Sequence, residues 1–132
     1  MNLQSELRKQ RLVDVALRRA EVDADERHGA PVALVLGGIA LLALRRKTRD
    51  ISHFDDGGEC DFVTRDRHTV TAAVQACVKL TDEDKDREID GLRKAMEAFS
   101  LPSGTIVTED QRDRLTFGAR HIDIIPFWDW NP

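Results

Sequence analysis

Glu59 and Asp61 stand two residues apart, and Gln75, Cys77 and Lys79 repeat that spacing after a short turn. Strand side chains alternate between faces, so each set shares one face if both segments are extended. Two carboxylates facing an amide, a thiol and a lysine across a hairpin bring oxygen donors and a cation into a common pocket. Hard divalent cations take such oxygens, and a cation held there activates water for hydrolysis. The amide brings no negative charge, however, and a neutral thiol is a poor partner for a hard ion. The spacing therefore speaks for a fold more firmly than for an activity.

The elements that must position these residues are legible on both sides. A short strand is expected over residues 50–54, and Asp55-Asp56-Gly57-Gly58 is a strong turn signal. Strands over 59–64 and 70–79 follow, joined through Arg65-Asp66-Arg67-His68. Thr81 is placed as a helix N-cap, with Asp82, Glu83 and Asp84 at the positive end of the helix dipole. Ile89, Leu92, Ala95, Met96 and Phe99 recur at helical spacing and predict an amphipathic helix over 82–99. Leu101-Pro102-Ser103-Gly104 ends it; a buried strand over 105–108 and a hairpin through Phe117-Gly118-Ala119 lead to a last strand over 121–127.

Upstream, residues 30–44 are apolar or glycine apart from Pro31, which suits a first helical turn. A helix over 32–47 is expected. The apolar run spans only roughly 22 Å as a helix, short of a hydrocarbon core of about 30 Å, so it reads as a core helix and no membrane span is expected. Gly37-Gly38 in its middle weakens it by up to ~1 kcal/mol per glycine. Residues 1–29 form a partly ordered lead-in, with a short strand and helical turn at Leu12-Val13-Asp14-Val15-Ala16-Leu17, and 30–132 form one domain. The order of helix, strands, helix and strands predicts an α/β architecture, a mixed sheet flanked by helices.

The chain has 132 residues, 33% of them charged, and a formal net charge of -4, which argues for a soluble protein and against strong unassisted binding to nucleic acid. Local basic clusters at Arg18-Arg19 and at Arg45, Arg46, Lys47 and Arg49 read either as solvated helix ends or as a phosphate track. The start of the sequence carries no signal-peptide pattern, which sets a reducing cytoplasm as the expected compartment. Cys60 and Cys77 are expected as free thiols on opposite faces. His28, His53, His68 and His121 show no metal-ligand spacing and are expected at the surface. Trp128 and Trp130 are expected to alternate along an extended tail, as core cover or a docking strip.

In this order, the residues resemble the C-terminal PD-(D/E)XK nuclease-like domain found on a family of prokaryotic AAA ATPases. Leu12-Val13-Asp14-Val15-Ala16-Leu17-Arg18 resembles that family's "VDxGLR", Leu41-Leu42-Ala43-Leu44-Arg45-Arg46-Lys47 its "FLELRRR", and Asp50-Ile51 the start of its first strand. Glu59-Cys60-Asp61-Phe62-Val63 matches "ECDFV", and Val74-Gln75-Ala76-Cys77 is similar to "IQVC", a variant of "IEVK". Leu80-Thr81-Asp82 with Arg87-Glu88-Ile89-Asp90-Gly91-Leu92 resembles "LTD…REIxGL", and Ile125-Pro126-Phe127-Trp128-Asp129-Trp130 resembles "IPxWxW". The resemblance covers almost the whole chain and implies a restriction-endonuclease-like fold. Two departures accompany it. The family's first helix carries an acid in "LLEN" where Leu36-Gly37-Gly38 stand here, and Gln75 and Cys77 replace the acid and lysine of the core motif. The Walker A pattern G-x-x-x-x-G-K-S/T is absent, so no ATP binding by that route is expected.

The resemblance implies Mg²⁺ held by Asp61 and Glu59, with Gln75 lending a carbonyl oxygen and Lys79 standing in for the missing lysine. Against that active site stands a structural reading, in which Glu59 and Asp61 are polar contacts at the sheet edge paired with Arg87 or Arg45; Glu88 faces either the same cleft or solvent, and solvent is expected first. The function expected first is a degenerate nuclease-fold domain that binds nucleic acid through Arg45, Arg46, Lys47 and Arg49, or binds a protein such as an ATPase. An active Mg²⁺-dependent nuclease and a non-functional remnant of a larger ATPase are the alternatives.

Overall fold

A computed structural model of the chain describes residues 30–132; the expectations for residues 1–29, including the 12–17 segment and Arg18-Arg19, lie outside the described residues. Helix α1 (Ala30–Arg45) leads into strands β1 (Asp50–Asp55), β2 (Glu59–Asp66) and β3 (Thr69–Ala76). Helix α2 (Asp82–Ala98) follows, then β4 (Ser103–Thr108), β5 (Asp113–Phe117) and β6 (Arg120–Pro126). The six strands form one mixed sheet in the order β1-β2-β3-β4-β6-β5. Antiparallel pairing joins β1 to β2, β2 to β3 and β5 to β6, whereas β3–β4 and β4–β6 are parallel. The parallel β3–β4 step needs a crossover, and α2 supplies it.

The two helices build two cores, one on each face of the sheet. On the first, Leu36, Ala40 and Leu44 recur every four residues along α1 and pack against Ile51, Phe62, Val74, Ala76, Val78 and Val107. On the second, Leu92, Ala95 and Met96 of α2 meet Cys60, Val63, Ala73, Cys77, Ile106, Ile122 and Ile124. Alternation along the central strands explains the split: Val74 and Ala76 face α1, and Ala73 and Cys77 face α2. Each large apolar side chain buried this way contributes roughly 1.5–3 kcal/mol. Helix α1 is thus a core helix, and among the described residues no helix is long and apolar enough to cross a membrane.

Local chemistry fixes the helix ends. The Thr81 side chain accepts from the Asp84 N–H and caps α2, with Asp82, Glu83 and Asp84 in the first turn. At the end of α1 the Lys47 and Thr48 N–H groups both reach the Leu44 carbonyl. The Thr48 hydroxyl then donates to the Arg65 carbonyl at 2.7 Å and accepts from the Asp50 N–H, tying α1 to the β1–β2 edge.

The C-terminal segment departs from the extended tail expected of it. Phe127–Asp129 is a turn of 3-10 helix, so Trp128 and Trp130 do not alternate. Phe127 and Trp130 cover the α1 core, while Trp128 remains exposed.

Candidate functional site

Glu59, Asp61, Gln75, Cys77 and Lys79 lie at the end of the sheet where β3, β4 and β6 reach their C-terminal ends and β2 begins. In sheets with parallel strands this end collects ligand sites, because loops and helix N-termini converge there. The N-terminus of α2 lies at the same end, since α2 starts six residues after β3.

A bulge in β2 decides how the acids point. Ser52 pairs with Val63 and Phe54 with Cys60, so two residues of β2, Asp61 and Phe62, oppose the single residue His53. Period-two alternation fails across that step. Cys60 and Val63, three residues apart, pack into the α2 core, and Phe62 between them packs into the α1 core. Glu59 and Asp61 consequently part company. The Glu59 carboxylate is exposed and lies 4.0 Å from His53 Nε2, whereas Asp61 is buried and its Oδ2 accepts from the Ala76 N–H at 3.0 Å. The bulge also brings Cys60 and Cys77, expected on opposite faces, into the same core, where both are buried thiols.

Gln75 is the hub of the buried cluster. Its Oε1 accepts from the Asp61 N–H at 2.7 Å, and its Nε2 donates to the carbonyls of Glu59 at 2.9 Å and Glu88 at 3.3 Å. Only this orientation of the amide matches one donor with an acceptor and two acceptors with a donor. A glutamate here would aim an anionic oxygen at two carbonyl oxygens. The surroundings of position 75 are built for an amide.

The remaining positions of the motif follow suit. Cys77 faces the α2 core, and its Sγ donates to the Lys79 carbonyl at 3.3 Å. Lys79 itself is exposed. Burial, and after it the Asp61 carboxylate, pushes the Cys60 thiol well above the ordinary thiol range. Its Sγ donates to the carbonyls of Phe62 and Val74 at 3.5 and 3.6 Å. A thiol so held stays protonated and inert.

Glu88, expected to face solvent, is 1% exposed and sits in the buried stripe of α2 with Asp84, Leu92 and Ala95. Arg87 Nη2 lies 3.4 Å from Asp84 Oδ1 and 3.6 Å from Glu88 Oε1. The signal was present in the sequence: position 88 is one helical turn before Leu92, on the face that Leu92 and Ala95 commit to the core. Gln111 clasps the segment between β3 and α2: its Oε1 accepts from the Leu80 N–H at 2.6 Å and its Nε2 donates to the Leu80 carbonyl at 3.0 Å. Nothing in the local sequence marks Gln111, because its partner is 31 residues away.

The residues expected as magnesium ligands do not converge around Asp61. A magnesium site needs near-octahedral oxygen coordination, and here Gln75 turns its oxygen to a main-chain N–H, Cys77 faces the core, and the Glu59 carboxylate lies with His53 instead. The basic segment is also remote. Arg46, Lys47 and Arg49 are exposed and Arg45 half-buried, but all four lie by the Asp50 end of β1, whereas Glu59 pairs with Asp55 at the other end, about 17 Å along the strand.

A separate open cleft of about 750 Å³ lies between α2 and β5, lined by residues that include Lys85, Arg87, Arg93, Arg114 and Phe117. Arg87 is the one member it shares with the buried cluster. His53, expected at the surface, is another residue the sequence concealed: its side chain is 10% exposed, and neither ring nitrogen has a hydrogen-bond partner. Compared with family models, with curated proteins and with solved structures, the chain gives no match.

Proposed function

We propose that the chain is a PD-(D/E)XK nuclease-like domain that has lost hydrolysis and works by binding. One observation carries this reading: the Gln75 amide is held by the Asp61 N–H and by the carbonyls of Glu59 and Glu88. Hydrolysis of a phosphodiester by a metal-dependent site needs anionic oxygens that converge on open space, where they hold the ion and position water. At the equivalent place this chain has a neutral amide directed at its own main chain. Position 77, where the resemblance expects a lysine, holds a thiol facing an apolar core. The cluster locks the start of β2, the end of β3 and the middle of α2 together, which is a structural task.

A cationic loop and three exposed apolar side chains support binding as the remaining activity. Arg46, Lys47 and Arg49 form an exposed cationic loop suited to phosphates, and it is independent of the buried cluster. Val35, Leu42 and Trp128 are exposed large apolar residues, of the kind a protein partner would cover. With a net charge of -4, the cationic loop alone gives weak, salt-sensitive nucleic-acid binding. A partner protein, such as a separate ATPase, would raise its effective concentration on nucleic acid.

The test is incubation with mixed DNA and RNA in Mg²⁺ or Mn²⁺, with Asp61→Ala as the control. No cleavage by either protein is expected, together with nucleic-acid retention that weakens when Arg46, Lys47 and Arg49 are replaced by glutamate. Metal-dependent cleavage that vanishes in the control would overturn the reading in favour of an active nuclease.

A further inference from the structure

We infer that the β1–β2 hairpin carries a divalent transition-metal site formed by His53, Asp55 and Glu59. The three residues offer one imidazole nitrogen and two carboxylate oxygens, all within 4.8 Å of one another. Hairpin geometry puts them together: Asp55 pairs directly with Glu59 across the ladder, and His53 precedes Asp55 by two residues on the same strand. The bulge of β2 opposite His53 leaves that residue without a cross-strand partner in the register.

An acidic pair near a turn is ordinary, and the imidazole is what makes this group a site. The His53 side chain is 10% exposed, yet neither Nδ1 nor Nε2 has a hydrogen-bond partner. A buried polar group left so costs roughly 1–3 kcal/mol, and the cheapest remedy is a ligand that takes a nitrogen lone pair. Its Nε2 lies 4.0 Å from Glu59 Oε1, whereas ligand atoms of one tetrahedral ion at bond lengths near 2.1 Å sit about 3.4 Å apart. Asp55 and Glu59 are exposed, so closing that gap needs only rotation of two carboxylates against a fixed imidazole.

Ligand chemistry selects the ion. An imidazole with two carboxylates suits zinc and its neighbours better than magnesium, which prefers oxygen alone and keeps its waters. Three protein ligands leave a coordination position for water, so the site is open and the ion exchangeable. Bound there, it ties the two strands together next to the Asp56-Gly57-Gly58 turn. The site is distinct from the Asp61–Gln75 cluster and does not depend on the binding function proposed above.

The experiment is calorimetric titration of the full chain with zinc, and with cobalt followed by its visible absorption. One equivalent is expected, with a rise in melting temperature on zinc addition. His53→Gln and Glu59→Gln should each weaken zinc binding at least tenfold, and Asp56→Asn, which alters the turn acid outside the triad, should leave it unchanged. Glu59→Gln changes an exposed side chain and keeps the fold, so its result stands even if the His53 variant is unstable. Absence of zinc binding by the unmodified chain, or binding that survives Glu59→Gln and His53→Gln, would overturn the site.

Discussion

Gln75 grips Asp61 by its main chain: the amide oxygen accepts the Asp61 N–H at 2.7 Å, while the Asp61 carboxylate accepts from the N–H of Ala76. Each side chain thus accepts from a backbone N–H of the opposite strand, at Asp61 and at Ala76, across the mouth of the β2–β3 ladder. The regular register ends at Phe62 and Val74, and these bonds continue it by other means. Buried main-chain groups beyond the last regular pair would otherwise go unmatched. An amide and a carboxylate at these places are explained by the sheet they close.

Replacing Gln75 by glutamate would restore the acid of the resembling family and should not restore its chemistry. The Nε2 donor to the Glu59 and Glu88 carbonyls would become an anionic oxygen facing both. We expect Gln75→Glu to lower unfolding free energy by about 2–3 kcal/mol at neutral pH. A buried carboxyl prefers its protonated form, which can donate as the amide does. The deficit should therefore shrink as pH falls toward about 4.3, the ordinary glutamate value. Urea unfolding at two pH values checks both statements.

Two glycines with opposite surroundings give a paired test. A Cβ at Gly91 would collide with the Glu59 carbonyl oxygen, a main-chain atom that cannot swing aside. A Cβ at Gly38 meets nothing within 4 Å. Gly91→Ala should destabilise by at least about 2 kcal/mol through forced separation of α2 from β2. Gly38→Ala should stabilise α1 by about 0.5–1 kcal/mol, because alanine has less chain entropy to lose in a helix. Thermal melting of the two variants should show shifts of opposite sign.

Much of the architecture was legible because it rests on local signals. Thr81 caps α2 where its hydroxyl and the following acids place it, and Asp55-Asp56-Gly57-Gly58 turns the β1–β2 hairpin. The site was less legible because one bulge changes what alternation means. Strict period two puts Glu59 beside Asp61, and the extra residue at Asp61-Phe62 sends their carboxylates to different partners. His53 escaped for a related reason, because it sits opposite that bulge and nothing at the residue itself marks its burial. Glu88 was legible from its spacing to Leu92 and Ala95 on the buried face of α2. The Gln111 clasp on Leu80 is a contact across 31 residues, beyond any local pattern.

The Cys60 thiol gives a pH dependence with a fixed sign. Burial and the Asp61 charge raise its folded pKa above the unfolded value near 8.5. A group raised in this way contributes stability that is complete below the unfolded value and is lost as pH rises above it. The unfolded chain releases a proton there that the folded chain keeps. Stability should accordingly decline above pH about 8.5 by up to ~1.4 kcal/mol per pH unit. Cys60→Ala should flatten that decline, whatever its cost at neutral pH. Native protein should also resist thiol reagents at pH 8–9, with labelling only on the timescale of unfolding.

Asp61 separates the structural reading from the catalytic one by the sign of a stability change. Carboxylates held for catalysis are commonly a burden on the fold, so their removal leaves stability unchanged or raises it. Here the Asp61 carboxylate satisfies the buried Ala76 N–H, and Asp61→Ala would leave that donor unmatched in a site only 5% exposed. We expect a loss of about 1–3 kcal/mol. Asp61→Asn keeps an oxygen for the same N–H and should fall between the alanine variant and the parent. A rise in melting temperature for Asp61→Ala would instead mark the carboxylate as strained for function, and the main-chain bond to Ala76 as incidental to why it is there.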